Sequence, residues 1–318
     1  MSSKAQSVIQ FIVERFENLN RQRRFSLKPL IIGISGIQGC GKTTLVSNVV
    51  RKLDQDHNLV AVSFSADDFV HTYEKQVQIK LNNSQNRLLE KRGLPGTHDV
   101  AFCRDTFAAL CKAQYEYATR IGETEKEASP VLVPKYDKSC YNGKGDRVPE
   151  DQWQRILPPI DCILFDGWFL GFKHLPDEVL SRIYNDALRR PNGEEKPLFL
   201  SHALSHLLTI NNNLKEYETS LYPFIDIFIH IDTEDINVVY KWRLEQEHRM
   251  IAKGMTGMTD IEVKEFVNRY MPAYELYLPK LRENSFFEQN GHSFEDISGR
   301  HLRLLIDENR DRISEVIL

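Results

Sequence analysis

The sequence predicts an α/β protein in which helices surround a doubly wound parallel sheet of about five strands. Short apolar runs alternate along the 318 residues with longer mixed segments. The runs are continuous rather than alternating in polarity, which is typical of parallel strands buried on both faces. The segments between them are long enough to contain crossover helices. A chain of this length buries roughly 75% of the surface that its unfolded form exposes, so a core of this size needs no covalent cross-links.

The predicted elements follow in order from the N-terminus. Residues 1–28 contain an amphipathic helix whose apolar face is made by Val8, Ile9, Ile12 and Phe16. The predicted strands occupy residues 30–34, 59–64, 160–165, 225–231 and 302–306. Residues 235–280 are predicted to form a helical lid and the helices that follow it. Polar insertions occupy 122–127, 142–147 and 191–197. None has the composition of an interdomain linker, so residues 1–318 are predicted to form a single domain.

Composition narrows the possible function classes. The chain has 41 Lys and Arg residues against 45 Asp and Glu, a formal net charge of −4, and lacks the positive field on which non-specific nucleic-acid binding depends. No apolar run reaches the roughly 18 residues that predict a membrane span. The five cysteines include no C-x-x-C pair, which predicts neither a disulfide framework nor a zinc site. We therefore expect a cytoplasmic or nuclear protein that acts on a small molecule, without nucleic-acid or membrane partners.

The first predicted strand leads directly into GIQGCGKT at residues 36–43, a complete match to G-x-x-x-x-G-K-[ST]. In this motif the glycines let backbone N–H groups turn toward a phosphate chain, the lysine reaches the terminal phosphates and the final hydroxyl ligates Mg²⁺. The helical pattern that follows adds the positive end of a helix dipole. The motif predicts a P-loop that binds a nucleotide through Gly36, Gln38, Gly39, Cys40, Gly41, Lys42, Thr43 and Thr44.

Two further apolar runs end in acidic residues. Asp166 closes the run at 160–165, where a P-loop protein needs a carboxylate for the metal or its waters. Asp67 and Asp68 follow the run at 59–64, and ligands bind at this edge of open α/β sheets. One of this pair is suited to act as general base on a substrate hydroxyl, while the other shapes the outer shell of the metal. A helix-capping aspartate and its neighbour would give the same spacing, and the sequence leaves both interpretations open.

The remaining motifs favour a kinase of small molecules. No N-K-x-D segment of the kind that reads a guanine base is present, and no sensor residue of a motor-type ATPase can be placed. A small-molecule kinase needs a base at a strand end, cations for substrate and phosphate, and a mobile lid that bears arginine. A group of cations is available in Lys135, Lys138 and Arg147. Arg243 and Arg249, beyond the fourth strand, are the lid candidates, although salt bridges such as Glu245 with Arg249 would also explain that helix.

Seven sequence blocks occur in a recognisable order. They are the P-loop at 36–43, DDF at 67–69, RGLPGTHD at 92–99, PKYDKS at 134–139, DGW at 166–168, YKWRLEQE at 240–247, and the stretch 257–274 that contains GMTD and FVNRYMPAY. In these blocks the chain resembles the plant-type D-glycerate 3-kinases and their fungal relatives, over nearly its whole length. The wider group includes phosphoribulokinase, uridine kinase and pantothenate kinase.

The resemblance implies an ATP-dependent kinase that phosphorylates a small hydroxy acid, with D-glycerate as the expected substrate. It makes Asp67 the general base and a ligand of the metal shell, beside the Mg²⁺ ligands Thr43 and Asp166. The wider group often has Glu where this chain has Asp166, which is shorter by one methylene. The turn after the last strand corresponds to a segment that contacts adenine in related folds, which implies Asn309 as a nucleotide contact.

The residues expected to contact the acceptor lie mostly between the second and third predicted strands. The block at 92–99 has the glycine and proline content of a rigid turn, and the cations after it suit a substrate carboxylate. A plain loop followed by a capped helix, with Thr97 or Asp99 as the cap, is the alternative for this block. We expect substrate contacts from Asp68, Arg92, Thr97, His98, Lys135, Tyr136 and Arg147, and catalytic roles for Lys42, Asp67, Asp166 and Arg243.

Three functions fit these observations. The resemblance favours Mg²⁺-assisted phosphorylation of D-glycerate by ATP. A kinase that acts on a nucleoside, a pantothenate-like acid or a sugar would keep every P-loop feature and differ between residues 92 and 147. An ATP-binding regulatory protein without turnover is the third possibility. The presence of Asp166 where the wider group often has Glu mildly favours this third possibility. The intact Lys42, Thr43 and Asp67 favour an enzyme.

Overall fold

The structure, a computed structural model, describes residues 3–23, 27–119, 129–191, 195–254, 257–288 and 297–318. Its strands are β1 (Leu30–Gly36), β2 (Ala61–Ser65), β3 (Val131–Val133), β4 (Tyr136–Asp137), β5 (Asp146–Arg147), β6 (Gln154–Ile156), β7 (Cys162–Gly167), β8 (Ile227–Thr233), β9 (His301–Ile306) and β10 (Arg312–Ile317). Its helices are α1 (Ser3–Arg23), α2 (Lys42–His57), α3 (Tyr73–Asn82), α4 (Val100–Thr119), the short turn α5 (Cys140–Gly143), α6 (Asp177–Leu188), α7 (Leu204–Ser220), α8 (Val238–Ala252), α9 (Asp260–Asn268) and α10 (Met271–Glu283).

The main sheet has the strand order β10-β9-β8-β1-β7-β2. Its first five strands in chain order are parallel, and β10 runs antiparallel to β9 at one edge. All seven residues of the central strand β1 are buried, as continuous apolar runs require in a sheet covered on both faces. The α/β fold class predicted from the sequence is therefore confirmed, with one strand more than the five expected.

The chain order of the strands indicates which edge of the sheet is expected to bind ligands. The chain passes from β1 to β2 at the far edge, returns to β7 between them, and then crosses β1 to form β8. In open α/β sheets such a reversal beside the first strand opens a crevice at the carboxyl ends of the strands. The register aligns Asp166 of β7 with Ser65 at the end of β2 and with Ile34 of β1. The acidic strand ends predicted from the sequence thus meet beside the P-loop.

The helical predictions hold at both ends of the chain. In α1, Val8, Ile9 and Ile12 are buried, and Phe16 is partly buried against the same core. The stretch 235–280 contains α8, α9 and most of α10. Thr259 begins α9 with a capping box, because its hydroxyl accepts from the backbone N–H of Glu262 and the Glu262 carboxylate accepts in return.

Some elements were missed or fall outside the structure. All six residues of β10 are exposed, so its pattern carries no burial signal. The two-stranded ribbons β3–β6 and β4–β5 are too short to give a period. The predicted insertion at 122–127 lies outside the described residues, as do part of 191–197 and two residues, 255 and 256, of the predicted lid.

The buried apolar side chains form one cluster, which includes residues of α1 and of β9. This continuity supports the single domain over residues 1–318 that we propose. Along the described ranges, no helix combines the length and apolar character needed to cross a bilayer.

Candidate nucleotide and substrate site

The P-loop joins β1 to α2 and depends on two glycines with left-handed backbone. Gly39 has a φ of 83° and Gly41 a φ of 90°, values that other residues adopt only with strain. A Cβ atom on Gly39 would also lie 2.6 Å from the Cβ of Trp242 in α8. The ammonium of Lys42 donates to the carbonyl oxygens of Gly36 and, at 3.2 Å, of Ile37. The loop has the glycine-dependent shape that the motif predicts.

Side chains from distant elements hold the P-loop in place. The guanidinium of Arg310, in the turn between β9 and β10, donates through Nε to the carbonyl oxygen of Gly39 at 2.7 Å. Lys4 of α1 donates to the carbonyls of Cys40 at 3.3 Å and of Arg310 at 3.2 Å. The hydroxyl of Tyr274 in α10 accepts from the backbone N–H of Gln38 at 3.2 Å. Sequence analysis did not identify these three anchors, because no local pattern connects them to the loop.

The two carboxylates after β2 have different partners. The Ser65 hydroxyl accepts from the backbone N–H of Asp67 at 3.3 Å and donates to the carbonyl of Asp166 at 3.1 Å. The carboxylate of Asp68 accepts from the backbone N–H of Ser65 at 2.9 Å and so completes a capping box around the turn Ala66–Phe69. Asp68 therefore fits the capping interpretation, whereas Asp67 is left to interact across the crevice. The structure does not support Asp68 as a substrate contact.

Asp67 forms an ion pair with Lys138, whose Nζ lies 2.6 Å from Oδ2. Burial alone would raise the pKa of Asp67, but the Lys138 ammonium, with smaller effects from His98 and Lys42, lowers it below the ordinary value. The neighbouring Asp166 behaves in the opposite way. Burial, with further repulsion from Asp67 and Asp68, raises the pKa of Asp166 to about 6 against the opposing field of Lys42. One carboxylate is thus held ionised while its neighbour resists ionisation.

The donors near the P-loop fit a magnesium ion bound partly through phosphates. Thr43 is exposed at the start of α2, and Asp67 and Asp166 supply hard oxygen ligands. Within the described ranges, no group of three or more His, Cys, Asp or Glu side chains is arranged to hold a metal by itself. Mg²⁺ usually binds through one or two carboxylates together with substrate phosphates, so this sparse donor set suits it.

Arg92 organises the loop that carries Lys138. Its guanidinium donates to the carbonyls of Gly143 at 2.7 Å, of Lys144, and of Lys138 at 3.4 Å. It also lies over the Tyr136 ring, 5.6 Å from the centroid. All of these partners are uncharged, and no carboxylate of the described residues forms an ion pair with Arg92, so this arginine brings a positive charge close to the Asp67–Lys138 pair.

Two predicted substrate residues have structural partners instead. Thr97 is fully buried, and its hydroxyl accepts from Gly93 N–H and donates to the carbonyl of Leu94, both at 2.8 Å. The guanidinium of Arg147 lies 3.6 Å from the carboxylate of Asp99 and donates to the carbonyl of Val70. Internal loop and ion-pair interactions thus occupy both groups, and substrate contact by Thr97 and Arg147 stays a prediction.

The alternative interpretation of the block at 92–99 is partly correct. Asp99 caps the start of α4, since its Oδ1 accepts from the backbone N–H of Phe102 at 3.1 Å. His98 is buried, with Nδ1 2.8 Å from the hydroxyl of Tyr217 in α7. Burial lowers the pKa of His98 to about 4. The block is thus a loop held by internal hydrogen bonds. The ring of His98 has one buried nitrogen, Nε2, that has no hydrogen-bond partner among the described residues.

Around β4, Lys138 and not Lys135 reaches the acidic centre. Lys135 is exposed, and its backbone carbonyl accepts from Val148 at 2.9 Å. Tyr136 has a buried hydroxyl without a hydrogen-bond partner among the described residues, and burial raises its pKa to about 12. Lys138 was grouped with the other cations of this region in the sequence, but only the tertiary structure distinguishes it.

The lid helices present two arginines in different states. Arg243 in α8 pairs with the buried carboxylate of Glu247 and lies 4.7 Å from the Phe266 ring centroid. Arg269, after α9, rests against the rings of Phe266 and Tyr270 and donates to the Tyr270 hydroxyl at 2.7 Å. Among the described residues no carboxylate lies within ion-pair distance of Arg269. The sequence pattern pointed to Arg243 and Arg249 and not to Arg269, although Arg269 stands in one of the quoted blocks.

The turn that contains Asn309 lies against the P-loop. Arg310 bridges from this turn to the Gly39 carbonyl and lies 5.0 Å from the centroid of Trp242. Asn309 itself is exposed, and its backbone N–H donates to Asp307 at 2.9 Å. The position of this turn supports the predicted nucleotide contact, which stays a prediction.

Comparison with known proteins gives a consistent set of relatives. No family model matches the chain. It is 36% identical over 306 residues to the uncharacterized kinase mug58 of Schizosaccharomyces pombe, covering 96% of this chain and 98% of that protein. It is 38% identical over 253 residues to the chloroplastic D-glycerate 3-kinase of Arabidopsis thaliana, covering 80% of this chain and 48% of that protein. A solved D-glycerate 3-kinase from Cryptococcus neoformans superimposes with a TM-score of 0.85 at 30% identity, covering 100% of both chains.

Proposed function

This chain belongs to the family of ATP-dependent kinases that includes the D-glycerate 3-kinases, and we propose that it phosphorylates a hydroxyl group of D-glycerate. The observation that carries the proposal is the Asp67–Lys138 pair at 2.6 Å, beside the P-loop and close to Arg92. A carboxylate that stays ionised can accept a proton from an alcohol, and the surrounding cations suit an acid substrate. The plant and fungal relatives named for this activity support the choice of glycerate.

Asp67 would act as the general base. Because its pKa lies below the ordinary value, the carboxylate is ionised at neutral pH and ready to accept the hydroxyl proton. In phosphoryl transfer most of the catalysis comes from positioning and from charge stabilisation, so a weak base at the correct place is sufficient. Lys138 would keep its ion pair with Asp67 and use another of its three N–H donors for the substrate carboxylate.

The phosphates would lie on the P-loop. Lys42 and the backbone N–H groups at the start of α2 would hold the terminal phosphates. Thr43, Asp166 and Asp67 would hold Mg²⁺ and its waters, and the bound ion would neutralise negative charge on the phosphates. From the lid, Arg269 has no carboxylate within ion-pair distance among the described residues, whereas Arg243 would first have to leave Glu247. We infer that Arg269 binds the transferred phosphoryl group.

The test is ADP release by the purified protein with Mg·ATP and a panel of D-glycerate, L-glycerate, pantothenate, uridine and ribulose 5-phosphate. We expect stimulation by D-glycerate. Stimulation by another member would instead identify a related kinase. Nucleotide binding without stimulation by any member would favour the regulatory protein.

Asp67→Asn tests the base within the same assay. We expect turnover to fall by at least about 100-fold while binding of ATP, followed by calorimetry, is retained. Lys42→Ala is the comparison variant, because it should weaken nucleotide binding as well. An unchanged rate for Asp67→Asn would remove Asp67 from the mechanism.

A further inference from the structure

His98 and Tyr217 form a buried pair below the block at 92–99. Their exposed fractions are 5% and 1%, and the Tyr217 hydroxyl lies 2.8 Å from Nδ1 of the imidazole. The ring of Phe169 packs beside His98 with the centroids 5.1 Å apart. The other ring nitrogen, Nε2, is buried and has no hydrogen-bond partner among the described residues. A buried polar atom left without a partner destabilises the folded state, so its retention needs an explanation.

The partners of Tyr217 determine the tautomer of His98. The hydroxyl oxygen accepts from the backbone N–H of Gly96 at 3.3 Å. Its own proton has one acceptor among the described residues, Nδ1 of His98. The imidazole is neutral, because burial lowers its pKa to about 4 against the smaller opposing effect of Asp67. With Nδ1 accepting, the single ring proton is on Nε2, which becomes a fixed and unused hydrogen-bond donor.

This donor lies close to the reacting centre. The backbone of His98 pairs with Val70, directly after the turn that holds Asp67. The flanking backbone bonds run from His71 N–H to the Thr97 carbonyl at 3.1 Å and from Asp99 N–H to the Phe69 carbonyl at 2.8 Å. His98 and Asp67 are also within electrostatic reach of each other. These backbone hydrogen bonds therefore join the segment that carries the unused donor to the segment that follows the proposed base.

We propose that the Nε2–H of His98 donates to the hydroxyl group of the hydroxy acid that is not phosphorylated, and that Tyr217 is the positioning residue that keeps the proton on Nε2. The inference rests on the proposed function, since it names what the same site recognises. A neutral, buried donor suits a neutral oxygen, whereas the substrate carboxylate has the exposed ammonium of Lys138 as its partner. A donor fixed on one side of the substrate also distinguishes the two enantiomers.

The test compares D-glycerate with 3-hydroxypropanoate, which keeps the carboxylate and the primary hydroxyl but lacks the second hydroxyl. We expect wild-type protein to prefer D-glycerate in kcat/KM by at least about tenfold, because a site built to bond a hydroxyl rejects the analogue without it. His98→Leu should abolish the preference, and His98→Gln, which restores an N–H donor, should recover part of it. Tyr217→Phe should raise KM for D-glycerate about five- to tenfold with kcat nearly unchanged.

Tyr222→Phe is the matched control. Tyr222 is equally buried, accepts from Gly171 N–H at 3.2 Å and donates to the Phe172 carbonyl at 2.8 Å, without contact to His98. An equal KM rise in both tyrosine variants would overturn the positioning role. Nitrogen-15 NMR of the histidine side chains is the independent readout: wild-type His98 should carry its proton on Nε2, and a proton on Nδ1 would overturn this inference alone. If no hydroxy acid is phosphorylated, the proposed function fails together with the substrate assignment.

Discussion

At the residue scale, the charged groups near Asp67 are distinguished by what they contact. Lys138 and Lys135 stand three positions apart, yet only the Lys138 ammonium lies against Asp67. A local pattern cannot distinguish the two lysines, since both lie in the block at 134–139 and both are exposed. Because the two lysines are alike in sequence context but differ in contacts, substitutions at Lys138 and Lys135 form a matched pair of variants.

Lys138→Met should raise KM for the hydroxy acid about tenfold, because a charge-assisted hydrogen bond to the substrate carboxylate is lost. The KM for ATP should change little. Lys135→Met, measured in the same steady-state assay, should behave as wild type. Equal effects of the two variants would show that a diffuse positive field, rather than one ammonium, binds the acid.

The two lid arginines give a second contrast. Arg269→Met should lower kcat by about 100-fold with a small effect on the melting temperature, because a cation directed at developing negative charge is removed. Arg243→Met should chiefly lower the melting temperature, because it leaves the carboxylate of Glu247, 3% exposed, without its cation. Calorimetry and steady-state kinetics on both variants separate these effects. A large loss of kcat in Arg243→Met at unchanged stability would return the phosphoryl-binding role to Arg243.

At the element scale, the C-terminal hairpin of β9 and β10 supports the P-loop. It does so through Arg310, which bonds to the Gly39 carbonyl at 2.7 Å, lies over Trp242 and pairs with Glu245 at 2.9 Å. The exposed strand β10 thus has a function that its sequence pattern does not reveal: it closes the turn that carries this arginine.

Arg310→Ala should weaken binding of a non-hydrolysable ATP analogue severalfold, because the P-loop backbone loses one of its external supports. Arg312→Ala on the same hairpin is the control, since Arg312 contacts only exposed groups, Ser7 and Glu315. Titration calorimetry measures both. If Arg310→Ala bound the analogue as tightly as wild-type protein does, the remaining anchors, Lys4 and Tyr274, would be sufficient to hold the P-loop.

At the scale of the whole molecule, buried histidines make stability depend on pH. Burial lowers the pKa of His98 and His230 to about 4 and that of His301 to about 3. The Nδ1 of His301 accepts from the backbone N–H of Phe286 at 3.1 Å, a bond that requires it to be unprotonated. In the unfolded chain histidine has a pKa of about 6.5, so the unfolded state binds these protons first as the pH falls.

The free energy of unfolding should therefore decrease as the pH falls from about 6.5 toward 4, by up to about 1.4 kcal/mol per pH unit for each such histidine. Asp166 acts in the opposite direction below pH 6, because its pKa is raised to about 6 in the folded state, and Asp68, Glu216 and Glu275, whose pKa values burial also raises, act with it. Burial lowers the pKa of His71 and His202 as well, which adds to the effect of the three histidines. Urea midpoints at about pH 7, 6 and 5 measure the slope. A constant midpoint over this range would contradict the neutral state of the buried histidines.

Much of the fold and part of the site follow from local sequence. The five parallel strands, the P-loop and the acids at the ends of β2 and β7 each depend on a continuous stretch of chain, where burial pattern, glycine conformation and strand direction act together. The local pattern could not distinguish Asp67 from Asp68, and only the family resemblance favoured Asp67. The capping box that occupies Asp68 becomes visible only in the folded turn.

The sequence by itself therefore determined that this protein is an α/β P-loop kinase and which acidic strand ends lie beside its P-loop. Only the tertiary structure decided which side chains act together there. The contacts concerned join residues far apart in the chain: Lys138 with Asp67 across 71 positions, Tyr217 with His98 across 119, and Arg310 with Gly39 across 271. Local preferences cannot encode such pairs, because they form only when the whole core brings separate elements to one edge of the sheet.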